Sequence, residues 1–226
     1  MRYRLVIFDF DGTLADSFPW FVATINTVAD RYGFRRIEEG ELDLLRGYSA
    51  REMVRHLGIP SWKLPLIAGH IRKLKARDRG AIGLFPGVGA LLRQLAEGGV
   101  VLAIVSSNAE ENVRQILGPE LAPLIRHYAC GASLFGKAAG FKKVLRMCSI
   151  RPGEALCVGD ELRDLEAARE AGIPFGAVTW GYTTAEALGA HGPQILFTRV
   201  EEVAEAVVGR GGGPGERGAR SLTAPA

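Results

Sequence analysis

Leu5-Val6-Ile7-Phe8-Asp9-Phe10-Asp11-Gly12-Thr13-Leu14 is the stretch that decides the fold. Its first four residues are apolar and two of them are β-branched, which reads as a buried strand. Polarity then switches. Asp9 and Asp11 stand where the strand ends, and Gly12 behind them permits a tight turn whose backbone N–H groups can face an anion. Because alternate strand residues share a face, both carboxylates aim at one point beyond the strand's carboxyl end. Open parallel sheets keep their sites at that edge.

Downstream of Leu14 the pattern becomes helical. Phe18, Phe21, Val22, Ile25, Val28 and Ala29 recur at steps of three and four, Ser17 stands where a cap belongs, and Tyr32-Gly33 ends the stripe. A short helix is expected over 38–46. Ser49-Ala50-Arg51-Glu52 is a capping-box pattern opening the next one, which carries Met53, Val54 and Leu57 and stops at Gly58. Another runs over 61–77 with Pro65 in its first turn. From Gly83 onward strands and helices alternate, with strands expected at 100–105, 127–130, 155–158, 175–179 and 195–197 and helices between them. Alternation of this kind builds a Rossmann-like, doubly wound α/β parallel sheet. The expected organisation is therefore a core of residues 1–15 and 83–208, a small helical domain inserted at 16–82, and a disordered tail at 209–226, where Gly, Arg and Pro leave little to bury.

Composition narrows the class. Apolar residues make up 47% and charged residues 23% of 226 positions, ordinary for a globular enzyme, and no apolar stretch approaches the roughly 20 residues of a membrane span. The apolar run at the N-terminus stops at Asp9, too early for a secretory core, so a cytoplasmic location is expected. Cys130, Cys148 and Cys157 lack C-x-x-C spacing and lie in apolar surroundings, as reduced core residues do. A net charge of +3 gives little reason to expect nucleic acid as a partner. Residues 31–79 hold twelve Lys or Arg against six acids, a bias that can attract an anionic substrate.

Three apolar runs each stop in a polar constellation. The first gives Asp9 and Asp11, the second gives Ser106, and the run at 155–158 enters Gly159-Asp160-Glu161-Leu162-Arg163-Asp164. A parallel sheet places all three ends on one edge. Asp160 and Asp164, four apart at a strand-to-helix junction, can face the same point. Lys137 lies one turn before Phe141 on the buried stripe Phe141, Val144, Leu145 and Cys148, and a lysine on a buried face must reach a counter-charge. Lys142 falls off that stripe and Lys143 lies on its border.

Taken together, Asp9-Phe10-Asp11-Gly12-Thr13, Ser106, Lys137 and Gly159-Asp160 with Asp164 resemble the four dispersed motifs of the haloacid dehalogenase superfamily of phosphohydrolases. The helical insertion looks like that family's C1 cap, and Val178-Thr179-Trp180-Gly181-Tyr182 is similar to its phosphoglycolate-phosphatase-like members. One position departs from the pattern: Ala138, not proline, follows Lys137.

The resemblance implies a phosphatase acting on a small phosphorylated metabolite, as a monomer or homodimer. Asp9 would be the nucleophile that forms an aspartyl phosphate, and Asp11 the acid and base. Mg2+ would be held by Asp9, the backbone carbonyl of Asp11 and Asp160, with Asp164 acting from behind on the metal water or on Lys137. Ser106 and Lys137 would contact the phosphoryl oxygens, and backbone N–H groups of Phe10, Asp11, Gly12 and Ser107 would complete the cradle. Thr13 reads as a turn or capping hydroxyl and Glu161 as solvent-facing. In the cap, Arg46 is placed to bind a second anionic group of the substrate, and Asn108 can reach the site from its strand end. Phosphomutase chemistry uses the same aspartates and stays open, as does a non-catalytic phosphoryl-binding or receiver-type module.

Overall fold

A computed structural model describes residues 3–131 and 136–209. The apolar run at the head of the chain forms β1 (Leu5–Phe8), every residue of which is buried. After it come β2 (Ala15–Asp16), α1 (Phe18–Tyr32), α2 (Leu42–Leu45), α3 (Ala50–His56), α4 (Leu64–Arg77) and β3 (Gly83–Leu84). The alternating part follows with α5 (Val88–Glu97), β4 (Val101–Val105), α6 (Glu110–Leu121), β5 (His127–Ala129), α7 (Lys137–Cys148) and β6 (Ala155–Gly159). It closes with α8 (Leu162–Ala171), β7 (Phe175–Val178), α9 (Ala185–Ala190), β8 (Ile195–Phe197) and α10 (Glu201–Val208).

Six strands form one parallel sheet in the order β5-β4-β1-β6-β7-β8. β1 is central, with Phe8 level with Ile104 of β4 and Val158 of β6. That register brings the carboxyl ends of the three middle strands side by side. The chain doubles back across the sheet at β1, where such folds open a crevice.

Because β1 is covered on both sides, its residues split between two apolar cores. Val6 and Phe8 pack with Leu102, Ile104 and Val158 against Leu92, Leu95 and Val203. Leu5 and Ile7 pack with Val105 and Cys157 against Phe141, Leu165 and Ala168. A third cluster, Ile25, Val28, Ala29, Phe34, Ile37, Leu45, Leu57 and Ile67, lies wholly within the helical segment. All three cysteines are free, with Cys157 buried.

Several local readings are modified. Ser17 has helical backbone angles (φ −99°, ψ −3°) and makes no side-chain cap; its hydroxyl meets the Tyr182 hydroxyl at 3.0 Å instead. Ser49 and Glu52 do form the capping box. The helix expected over 38–46 is confined to α2. Upstream of it the Asn26 side chain bonds both the N–H and the carbonyl of Ile37 at 2.8 Å, and Glu41 accepts from the Glu38 N–H, which holds the chain out of helical register. Gly118 at φ 74° interrupts α6 just before Pro119. The two-residue strands β2 and β3 pair antiparallel, Ala15 opposite Leu84, where the chain leaves the sheet for the helices and returns. The glycine- and arginine-rich stretch after Gly209, expected to be disordered, lies outside the described residues.

Ile7 is fully buried in the central strand. Ile7→Ala is expected to lower unfolding free energy by about 2–5 kcal/mol in urea denaturation.

Candidate active site

Strand ends place Asp9 and Asp160, and the first turn of α8 places Asp164. Asp9 directly follows β1, and its N–H bonds the Val158 carbonyl of β6 at 2.9 Å, so the two strand ends are tied together where Asp160 begins. Asp9, Asp160 and Asp164 are each at most 3% exposed, and each offers a carboxylate oxygen within 4.8 Å of the other two. Like charges so close and so buried repel unless cations intervene. Lys137 supplies one: its Nζ lies 2.7 Å from Asp9 Oδ2 and also pairs with Asp164. Lys142 instead pairs with Glu170 at the surface, 2.8 Å away.

Charge and burial divide the three acids. Burial pushes the Asp9 carboxyl up, yet Lys137 and Arg163 outweigh it and hold the group below the usual carboxylate range. Asp160 has no such partner, and burial reinforced by Glu161 and Asp9 raises it well above that range. Asp164 is raised to about 7, by burial and then by Asp9. Asp160 ionised beside Asp9 therefore calls for a further positive charge. The donor set fits a hard divalent cation, which takes carboxylate oxygens, and Asp9 Oδ2 is a buried acceptor without a properly aligned hydrogen bond.

The Asp160 carboxylate is held in place from both sides. Thr13 donates its hydroxyl to Oδ1 at 2.7 Å, and the Tyr182 N–H donates to Oδ2 at 2.8 Å. Two glycines make room for it. A Cβ at Gly12, whose φ of +80° already disfavours side chains, would fall 2.2 Å from Asp160 Oδ2, and one at Gly181 would fall 2.3 Å from Asp160 Cβ. Trp180 locks this loop by donating to the Thr13 carbonyl at 3.1 Å.

Asp11 stands apart from the carboxylate trio. Its Oδ1 lies 2.6 Å from Lys75 Nζ, and its Oδ2 accepts from Asn108 Nδ2 at 3.2 Å. The third carboxylate of the buried group is that of Asp164, while the Asp11 carboxylate is turned to Lys75 and Asn108. Ser106 is fully buried, and its hydroxyl accepts the Asn108 N–H at 3.1 Å. Asn108 is oriented in turn by Asn112, 3.1 Å from its Oδ1.

Above these groups the helical segment and the sheet edge enclose a cavity of about 230 Å3 that Asp11, Ser107, Arg46, Lys75, Glu161 and Arg163 all reach. Arg46 lies on its wall, with Nε and Nη2 bonded to the carbonyls of Tyr182 and Gly181 at 3.2 and 2.9 Å. Three residues escape a reading by motif. Thr13 is a partner of Asp160 as well as a turn residue, Lys75 comes from the helical segment, and Glu161 faces the cavity paired with Arg163 rather than solvent. The signal for Lys75 was present: Ile67, Ile71, Leu74 and Lys75 form one helical stripe, on which a lysine needs a counter-charge.

Residues 6–178 match the model of the haloacid dehalogenase-like hydrolase family. This chain belongs to that family. It is 34% identical over 205 residues to phosphoglycolate phosphatase of Synechococcus elongatus, covering 90% of this chain and 97% of the relative. It is also 30% identical to the tyrosine-protein kinase PtkA of Mycobacterium tuberculosis, covering 90% and 72% respectively. A solved haloacid dehalogenase-like family hydrolase from Streptococcus pneumoniae superposes with a TM-score of 0.72 at 22% identity, covering 91% and 98%. The hydrolase is thus phosphoglycolate-phosphatase-like in sequence and a phosphoric monoester hydrolase by class. Among its described residues no helix is long and apolar enough to cross a membrane.

If the crowded carboxylates of the hydrolase take up a cation, saturating Mg2+ will raise its melting temperature by on the order of 5 °C, and a chelator will reverse the shift. Gly181→Ala, which displaces Asp160, is expected to abolish most of that increment. A full shift in the variant would separate Asp160 from the cation.

Proposed function

We propose that this enzyme is a Mg2+-dependent phosphatase that hydrolyses a small phosphate monoester, phosphoglycolate- or sugar-phosphate-like, through an aspartyl-phosphate intermediate. The observation that carries the reading is the buried trio Asp9, Asp160 and Asp164 with Lys137 set between two of its members. Residues 16–82 act as a cap over the site. The chain works in the cytoplasm on a soluble metabolite.

Phosphate monoesters resist attack because their own oxygens are negative, so charge neutralisation and in-line positioning dominate catalysis. Asp9, kept ionised by Lys137 and Arg163, is the nucleophile. Its oxygen forms a bond to phosphorus as the ester oxygen departs. Asp11 lines the cavity and gives the departing alkoxide a proton; it then takes a proton from the water that attacks the acylated phosphorus, releasing phosphate and restoring Asp9. Lys75 and Asn108 orient the Asp11 carboxylate for both transfers. The carboxylates of Asp9 and Asp160 and the backbone carbonyl of Asp11 would hold Mg2+, which supplies a Lewis acid for the phosphoryl oxygens. Asp164 fixes the Lys137 ammonium from behind, and Ser106 and Lys137 receive the phosphoryl oxygens. The backbone N–H of Ser107 closes the cradle, whereas that of Gly12, expected there, is donated to the Ala15 carbonyl at 2.8 Å.

The mycobacterial relative carries the name of a kinase, and phosphomutase chemistry begins with the same aspartyl phosphate. Water and an acceptor hydroxyl are therefore competing fates for the phosphoryl group. A panel of glycolate, sugar, nucleotide and aryl phosphates, assayed with and without Mg2+, is expected to show metal-dependent phosphate release. Asp9→Asn should abolish it, and Asp11→Asn should cut kcat at least 100-fold. Isomer interconversion without net release would overturn the hydrolytic reading.

A further inference from the structure

The cavity over the carboxylates is lined by more cations than acids. Phe18, Phe21, Leu45 and Met53 make much of its wall apolar, so an anion that enters sheds water and needs donors from the protein. Three cations line the space, against the two acids Asp11 and Glu161. Lys75 is occupied by Asp11. Arg46 is turned to the carbonyls of Gly181 and Tyr182 and lies 5.1 Å from the Phe18 ring centre, so it fastens helical segment to core.

Arg163 feels the charges of Glu161, Asp164 and Asp9, yet its hydrogen-bonding capacity is not used up by them. Its side chain is only 10% exposed, and Nη2 pairs with Glu161. Nε and Nη1 are buried and have no hydrogen-bond acceptor among the described residues. A buried donor left unmatched carries a penalty of about 1–3 kcal/mol, which an acceptor brought in by a ligand removes. Arg163 also stands on the first turn of α8, one residue from Asp164, so the backbone that sets the carboxylate trio sets the guanidinium as well. Lys137, enclosed between Asp9 and Asp164, already serves the phosphoryl end of the site.

Resting on the phosphatase reading above, we propose that Arg163 receives a carboxylate on the alcohol portion of the substrate, so that the enzyme selects phosphate esters of small hydroxy acids over those of neutral alcohols. Guanidinium suits the task because it stays charged when desolvated and offers several N–H donors in one plane. The subsite expected at Arg46 is thereby placed on the core side of the cavity.

The test compares two ligands that differ in the carboxylate, 2-phosphoglycolate and ethyl phosphate. Binding is measured by calorimetry with Mg2+ in an Asp9→Asn background, where neither is consumed. Adding Arg163→Gln is expected to weaken 2-phosphoglycolate at least tenfold more than ethyl phosphate, and Arg163→Lys should recover part of the difference. Parallel weakening of both ligands, or of neither, would overturn the assignment. The same ratio taken from kcat/KM with Asp9 intact keeps the two readings apart. Absence of turnover on every ester counts against the phosphatase, whereas turnover with an unchanged ratio counts only against Arg163.

Discussion

Electrostatic crowding at the carboxyl end of the central strand is the constraint on which the rest of the structure depends. Three carboxylates within 4.8 Å of one another, all buried, are unstable company in a medium of low polarity. The protein answers with one enclosed lysine and one nearly enclosed arginine, which suffice to keep Asp9 ionised but leave Asp160 raised. That imbalance separates the acids by role. One is held ionised, one is short of a positive neighbour, and one anchors the lysine.

Holding like charges together requires a rigid frame, and the sheet provides it. β1 is buried on both faces and flanked by β4 and β6 in register, so the positions that follow each strand are fixed relative to one another. Around Asp160 the frame is completed by a hydroxyl, a backbone N–H and two glycines that leave space no side chain could share. The loop of Trp180 and Tyr182 therefore belongs to the site although it carries none of the acids.

Much of this was legible from residue order. The parallel sheet followed from apolar runs alternating with helical stripes, and the closeness of Asp9 and Asp160 followed from strand ends sharing an edge. Lys137 could be singled out because it lies on the buried face of its helix. Other features depend on distances across the fold that no local pattern encodes. The direction of the Asp11 carboxylate is set by Lys75 and Asn108, 64 and 97 positions away along the chain. The two-residue strands β2 and β3 are too short to leave a periodic signal, and the missing part of the helix at 38–46 was removed by one asparagine bonding to Ile37.

The pairing of Ala15 with Leu84 has a consequence for how the molecule is assembled. Outgoing and returning chain pass through the same doorway, so everything between them is a closed excursion with its own apolar centre. That excursion also reaches back to the sheet edge, through Lys75 on Asp11 and Arg46 on the Gly181 carbonyl. A change in what is threaded through the doorway is therefore felt first at those two landing points, one beside a carboxylate of the sheet edge and one on the loop that braces Asp160.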